Sequence, residues 1–444
     1  MRFSRFMLFI SAVLCCALIC GCSTAPTIDG DPLLKAPRLP GDMYDIQQEL
    51  DASVATPYTL KYPTSGQYKS AVTLVDITND GKQEAVAFYS TTTNDVTSIT
   101  LCLLVYRDEE WVAVSDSHAY ASSVEQVVFD DLDGDGRTEI IVGWVTSPTD
   151  KQIAVYSYLD GSLLQRLQEK YTTFTCCNLN SADYDSLLVV NLDTANTSSR
   201  ATLYSFDGKE VATTGSCSLD GGVTSYSPPV LSSLPDGRKA VYLDAVKGAG
   251  TVTEVLYFDD GALVNGAFDP LAAATTSTFR ASSVLIADIN GDQILDIPMQ
   301  VDFKGMSGVS ESEKSYITVW CSFTTKGLAK KLTAYMNYTD GYSFELPDGW
   351  QEGVTLQKDS KKRTRSFYAW SKKKNMAGDA LLQLATVTKE ALGDGKDYKA
   401  DGFEIIAEKD GLVYLAKCYD TKSKLKIDIE QVKKSFKTID TGVK

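Results

Sequence analysis

A short acidic turn recurs along this chain, each time between two apolar, strand-like runs. Three copies can be aligned, and each has an apolar run, a turn rich in Asp, Asn and Gly, and a second apolar run. The copies span residues 72–87, 127–142 and 284–298. A repeat of this kind indicates one supersecondary unit that is stacked several times, because a single unit cannot bury its apolar face alone.

Two degenerate copies fill the gap between the second and third turns, at residues 177–190 and 230–242. The five copies repeat at a spacing of about 50 residues. Between the turns, runs rich in Val, Leu, Thr and aromatic residues predict two further strands per unit. Helical periodicity is not seen there, which disfavours a parallel βαβ fold. We therefore expect a mainly β protein with a β-propeller of about five or more blades over residues 56–335.

The second turn has the residue pattern of a calcium-binding loop. Positions 1, 3 and 5 are Asp131, Asp133 and Asp135, position 6 is Gly, and position 9 is Glu139. Carboxylates so spaced can converge on Ca²⁺, which takes about six to eight oxygen ligands. Position 12 is Val142, where an EF-hand has Glu, and strand-like sequence follows. The turn therefore predicts a calcium loop within a β-hairpin, and the alternative is an ordinary Asp-Gly hairpin turn.

Residues 60–335 resemble the FG-GAP or VCBS-type repeats of integrin-α-like propellers, in which D-x-[DN]-x-D-G-x-x-[DE] loops hold structural calcium. The resemblance implies side-chain ligands at positions 1, 3, 5 and 9 and a backbone carbonyl ligand at position 7. In chain order, these positions are Asp76, Thr78, Asp80, Lys82 and Glu84; Asp131, Asp133, Asp135, Arg137 and Glu139; and Asp288, Asn290, Asp292, Ile294 and Asp296. Thr78 predicts a weaker first site, and Gln293, in place of the turn Gly, predicts altered geometry in the third. The turns near Asn180 and Asp236 are expected to bind no calcium.

The N-terminus predicts export and lipid anchoring. A positively charged start precedes an apolar run at residues 6–18 that is too short to span a bilayer comfortably. The run ends at Ile19-Cys20-Gly21-Cys22, which resembles the bacterial lipobox. The resemblance implies a signal peptide at 1–21, acyl chains such as palmitate on Cys22, and a place on the extracytoplasmic face of the cell membrane. An ordinary secretory signal and an uncleaved anchor are the alternatives. Residues 22–55 are then the lipidated cysteine and a tether.

The sequence pattern changes after residue 335. The remaining chain is Lys-rich, lacks the acidic turn and ends with apolar residues at helical spacing, namely Ile429, Val432 and Phe436. We expect a separate, small α+β domain at 338–444. Its opening residues 342–350 and its closing helix resemble PsbP-like domains of bacterial lipoproteins.

The sequence offers no recognisable catalytic set. The one histidine, His118, has no nucleophile or acidic motif beside it, and the His and Cys residues lack zinc-ligand spacing. The net charge of −15 disfavours nucleic acid as a partner. We therefore expect that the chain is not an enzyme but a non-catalytic binding or adhesion platform for a protein or glycan, stabilised by calcium. Two alternatives remain: a propeller-based glycan-active hydrolase or lyase, and a structural lipoprotein of envelope assembly.

Overall fold

Strands dominate the part of the chain that the structure describes, so the prediction of a mainly β protein is confirmed. The structure is a computed structural model. It describes residues 41–93, 96–180, 183–207, 210–310, 313–393 and 395–439. The lipobox-like segment and the start of the tether lie outside these residues. No helix within the described ranges is long and apolar enough to cross a membrane.

The first two sheets are antiparallel and follow a short N-terminal helix. Helix α1 (Gly41–Ser53) precedes the first sheet. That sheet contains β1 (Tyr58–Leu60), β2 (Val72–Val75), β3 (Glu84–Thr93), β4 (Val96–Arg107) and β5 (Glu110–Ala119). Its order is β1-β3-β4-β5, with β2 also paired to β3. The second sheet contains β6 (Ser123–Asp130), β7 (Glu139–Ser147), β8 (Asp150–Leu159) and β9 (Ser162–Lys170), in that order.

The third and fourth sheets repeat the same meander. The third contains β10 (Thr173–Cys177), β11 (Ser186–Asp193), β12 (Ser198–Asp207) and β13 (Glu210–Leu219). The fourth contains β14 (Ser225–Tyr226), β15 (Val230–Ser233), β16 (Lys239–Lys247), β17 (Gly250–Asp259) and β18 (Ala262–Asn265). A two-stranded ribbon of β19 (Phe268–Asp269) and β20 (Ala274–Thr275) follows.

The last two sheets, together with the short helices between their strands, contain the remaining elements of the described chain. Their elements are β21 (Asp296–Asp302), β22 (Tyr316–Thr324), β23 (Gly327–Asn337), β24 (Tyr342–Glu345), α2 (Trp350–Gly353), β25 (Val354–Asp359), β26 (Thr364–Ser371), β27 (Met376–Thr388), α3 (Lys389–Leu392), α4 (Lys396–Ala400), β28 (Glu404–Lys409), β29 (Leu412–Cys418), α5 (Ile429–Ser435) and β30 (Phe436–Thr438). The fifth sheet has the order β21-β22-β23-β24-β30, and the sixth has the order β25-β26-β27-β29-β28.

Consecutive sheets pack against each other in chain order. One buried apolar cluster joins sheets one and two, another joins sheets two and three, a third joins sheets three and four, and a fourth joins sheets four and five. The inner strands supply both faces, since neighbouring residues on a strand point to opposite sides. On β11, for example, Leu187 lies in the cluster with sheet two, whereas Leu188 lies in the cluster with sheet four.

The fifth sheet is shared between the last repeat and the C-terminal segment. Strand β24 pairs with β23 on one side and with β30 on the other. Phe303 and Tyr335 therefore lie in the same buried cluster as Trp350 and Phe367. The predicted boundary between residues 335 and 338 falls within this sheet.

Candidate metal site

The three acidic turns occupy equivalent places in three sheets. We call them acidic loop 1 (residues 76–84), acidic loop 2 (131–139) and acidic loop 3 (288–296). In each, the residue before position 1 pairs with the residue at position 9. The pairs are Val75 with Glu84, Asp130 with Glu139, and Ala287 with Asp296. In each case position 9 is also the first residue of a strand, namely β3, β7 or β21.

The three loops also share one hydrogen-bond pattern. The position-1 carboxylate accepts the backbone N–H of position 6, and the position-5 carboxylate accepts the backbone N–H of position 7. The position-6 bonds are Gly81 N to Asp76 (3.0 Å), Gly136 N to Asp131 (2.9 Å) and Gln293 N to Asp288 (2.8 Å). The position-7 bonds are Lys82 N to Asp80 (2.9 Å), Arg137 N to Asp135 (2.8 Å) and Ile294 N to Asp292 (3.0 Å). The position-1 and position-5 side chains therefore shape the turn through the protein's own amides.

Gln293 keeps the loop conformation although it replaces the expected Gly. Its φ angle is 66°, and the equivalent Gly81 and Gly136 have φ angles of 82° and 86°. All three lie in the left-handed region, where a side chain is strained. Acidic loop 3 thus retains the left-handed turn at position 6, at a cost in backbone strain.

Acidic loop 2 brings three carboxylates into one group. One oxygen from each of Asp131, Asp133 and Glu139 lies within 4.8 Å of the others. Within the described residues, no other group of three His, Cys, Asp or Glu side chains meets this condition. Glu139 is buried, and its Oε2 accepts the backbone N–H of Leu132 at 2.9 Å. Carboxylate oxygens in this arrangement suit a hard divalent cation such as Ca²⁺.

Asp135 is predicted as a ligand but is held apart from this group. Its Oδ2 accepts a hydrogen bond from Nε of Arg137 at 2.9 Å and a second from Nη2. These hydrogen bonds hold the pKa of Asp135 below its usual value. Its carboxylate would have to leave Arg137 to contact an ion.

Burial dominates the electrostatics of the group. Desolvation raises the pKa of Glu139 to about 7, and it also raises the pKa of Asp133. The neighbouring carboxylates raise both values further. Ionised carboxylates at such a place destabilise each other, and a bound cation would relieve that repulsion.

Two residues distant in sequence complete the site. Arg166, on β9, lies with Nη1 3.9 Å from Oδ2 of Asp133, and Ser157, on β8, donates a 2.9 Å hydrogen bond to Oε1 of Glu139. Neither belongs to the acidic repeat. A buried carboxylate requires a partner, but the sequence does not indicate which residue supplies it.

Acidic loops 1 and 3 are less completely assembled. In loop 1, Glu84 accepts the backbone N–H of Ile77 at 2.7 Å, whereas the buried Oγ1 of Thr78 has no hydrogen-bond partner among the residues that the structure describes. In loop 3, the buried Oδ2 of Asp296 also has none within the described part of the chain, and Asn290 donates to Asp292 at 2.9 Å. Buried oxygen atoms without partners are costly. An ion could supply the missing contact at both places.

The two degenerate turns differ from the acidic loops in different ways. At the fourth sheet, Ser233 pairs with Lys239 across a shorter turn of residues 234–238, and Lys239 occupies the place of Glu139. At the third sheet, Cys177 pairs with Ser186, so the turn keeps its length but position 9 lacks a carboxylate.

A separate open cleft of about 520 Å³ lies over one face of the third sheet. Arg200, Thr202 and Tyr204 stand at alternate positions of β12 and so share that face. We define the polar cleft by six of its lining residues, Glu169, Lys170, Asn191, Arg200, Tyr204 and Phe268. It combines carboxylate, cationic, amide and aromatic groups outside the acidic loops.

No protein-family model matches this chain, and no curated protein matches it. Solved structures do match. The rhamnogalacturonan lyase YesW is 12% identical, with 72% of this chain and 73% of that chain covered and a TM-score of 0.29. A rhamnogalacturonan lyase of Bacillus licheniformis is 10% identical, with 71% and 73% covered and a TM-score of 0.28. The periplasmic gluconolactonase of Pseudomonas aeruginosa is 13% identical, with 73% and 88% covered and a TM-score of 0.28.

The prediction that the chain is not an enzyme is contradicted by this comparison, because the matched structures are lyases and a gluconolactonase. We withdraw it. All three TM-scores are below 0.5, so the likeness does not assign a particular activity to this chain.

Proposed function

We propose that this chain is an exported, lipid-anchored protein whose β-propeller body binds calcium in its acidic hairpin loops. The convergence of Asp131, Asp133 and Glu139 at one hairpin supports calcium binding. The propeller, and with it the likeness to FG-GAP and VCBS repeats, is supported by five consecutive meander sheets that pack in chain order. The calcium would be structural, because an ion that binds only the folded state stabilises it.

The test is a calcium titration of the chain from Ser23 onwards, with calorimetry and thermal unfolding in EDTA and in millimolar calcium. We expect measurable binding and a higher melting temperature in calcium. The variant D131N/D133N/E139Q should lose the acidic loop 2 site. The matched control is D236N in the degenerate turn, which should leave binding unchanged. Absence of binding to the unmodified chain would refute the proposal.

The anchor can be tested separately. Cys22→Ser should release the protein from the membrane fraction and abolish incorporation of a labelled fatty acid. Cys20→Ser is the matched control, since it lies two residues away and the lipobox pattern does not assign it the lipid. Membrane retention of Cys22→Ser would contradict lipid attachment at that residue.

A second candidate function is processing of a glycan in the polar cleft. The observation that favours it is the convergence of Glu169, Arg200 and Tyr204 in an open cleft, outside the acidic loops. Polar groups can bind sugar hydroxyls, and an aromatic ring can pack against a sugar face.

Hydrolysis and elimination both create a new reducing end, so reducing-end release from a panel of neutral and acidic polysaccharides detects either reaction. Glu169→Gln and Arg200→Ala should reduce release, whereas Glu110→Gln, an exposed residue on β5, should not. No release from any polysaccharide would count against this function.

A further inference from the structure

Arg166 places a buried positive charge beside acidic loop 2. Its side chain is 4% exposed, and that of Asp133 is 3% exposed. Their closest charged atoms, Nη1 and Oδ2, are 3.9 Å apart. Removing such a charge from water is costly unless nearby groups compensate. The carboxylates of the loop are that compensation.

Arg166 also reaches the second buried carboxylate of the group through a hydroxyl. Its Nη1 donates a 3.2 Å hydrogen bond to Oγ of Ser157, and Ser157 donates a 2.9 Å hydrogen bond to Oε1 of Glu139. The buried Nη2 has no hydrogen-bond partner in the described residues. Asp133 and Ser157 therefore hold the guanidinium in place, but they do not satisfy all of its N–H donors.

The charges of the site balance when one divalent ion is added. Asp131, Asp133 and Glu139 carry three negative charges when ionised. A bound Ca²⁺ and Arg166 together carry three positive charges. Arg137 does not enter this sum, because it is paired with Asp135. A buried site is most stable when its net charge is small.

We infer that Arg166 is an internal counter-ion of acidic loop 2: it stabilises the loop without metal and lowers the affinity of the loop for calcium. The inference rests on the proposed function, since it assumes that this loop binds Ca²⁺. The two effects have one cause. A fixed positive charge attracts the carboxylates in the metal-free state and repels the incoming cation.

The experiment compares Arg166→Gln with the unmodified chain by calcium calorimetry and by thermal unfolding in EDTA. We expect the melting temperature in EDTA to fall, while the calcium dissociation constant falls roughly tenfold, which is tighter binding, because the repulsion between Arg166 and the ion is removed. If Arg166 only held acidic loop 2 in shape, its replacement would lower stability and weaken calcium binding together. Arg166→Lys keeps the charge, so its dissociation constant should stay close to that of the unmodified chain.

Arg280→Met is the matched control. Arg280 is another buried arginine, paired with Asp244 at 2.7 Å in the fourth sheet. Its loss should lower the melting temperature without changing the dissociation constant.

Each outcome decides the inference. Unchanged or weaker binding by Arg166→Gln, when the unmodified chain binds calcium, would overturn the inference alone. Absence of binding to the unmodified chain would overturn the proposed function as well. If Arg166→Gln folds only in calcium, the inference is supported, because the ion replaces the missing charge. If it folds in neither condition, the inference is overturned.

Discussion

The backbone N–H of Thr138 donates a 2.9 Å hydrogen bond to the carbonyl oxygen of Ile77, which joins acidic loop 2 to acidic loop 1. Oγ1 of Thr138 adds a 3.3 Å hydrogen bond to the carbonyl oxygen of Asp76. A Cβ atom built on Gly136 would lie 3.1 Å from Nδ2 of Asn79, so the two loops also approach closely at their tips. The first two sheets are thus linked at their acidic turns.

Thr138→Val should weaken this link. The substitution removes the hydroxyl but keeps the backbone hydrogen bond and nearly the same side-chain volume. The expected loss in the free energy of unfolding is about 1 kcal/mol, the usual contribution of one hydrogen bond. Urea unfolding in EDTA measures it. Thr92→Val is the control, because Thr92 bonds to Thr97 at an exposed hairpin end and should contribute less. Equal effects of the two substitutions would show that the Thr138 side chain does not link the loops.

Gln293→Gly should stabilise the protein. The residue is exposed and has a φ angle of 66°, which Gly adopts without strain. The expected gain is about 0.5–1 kcal/mol, because the greater freedom of Gly in the unfolded chain offsets part of the relief. Gly136→Ala, at the equivalent position of acidic loop 2, should have the opposite sign. Thermal unfolding of both variants measures the difference, and a loss of stability in Gln293→Gly would contradict the strain.

Arg280→Met should be strongly destabilising. Arg280 is 2% exposed, and it contacts Asp244 and donates to Oγ1 of Thr253 at 2.9 Å. Removing it leaves Asp244 as a buried charge without its partner, which costs roughly 3–5 kcal/mol. The double variant R280M/D244L removes both charges and should recover part of that loss. A double-mutant cycle by chemical denaturation checks this, and strictly additive effects would contradict a direct pair.

Glu254 should make stability depend on pH. Burial raises the pKa of Glu254 in the folded state. An acid with a raised folded pKa stabilises the fold at low pH, and the contribution is lost as the pH rises from the unfolded value through the folded one. The unmodified chain should therefore lose stability relative to Glu254→Gln as the pH rises from about 4, the usual pKa of a glutamate, towards the higher pKa of the folded state. Denaturant unfolding across that range measures the two curves, and parallel curves would exclude the effect.

The strand–turn–strand form of the acidic loops could be predicted from the sequence, whereas their calcium binding stays a prediction. Their apolar flanks determine two paired strands, and their carboxylates accept amides within the same turn, as for Asp131 and Gly136. Both are local interactions, which a sequence pattern can express. The mainly β architecture followed from the same alternation of apolar runs and turns.

The sequence could not predict the interactions between distant residues. Arg166 reaches Asp133 only because β9 lies in the same sheet as β6 and β7, the two strands that acidic loop 2 connects. The hydrogen bond from Nε of Arg137 to Oδ2 of Asp135 depends on a side-chain rotamer. The polar cleft joins residues from β9, β12 and the ribbon after β18. Each depends on tertiary packing, for which this single sequence carries no local signal.

The shared fifth sheet has a consequence for the order in which the chain can fold. Strand β24 is bordered by β30, which contains Phe436 and lies close to the end of the described chain. During synthesis, the strands of the sixth sheet are made before β30, the neighbour of β24. A chain that stops early therefore exposes an unpaired strand edge on the last repeat, which is a template for aggregation. Strand β30 (Phe436–Thr438) thus covers this edge only in molecules that contain it, and quality-control proteases would recognise shorter molecules by the exposed edge.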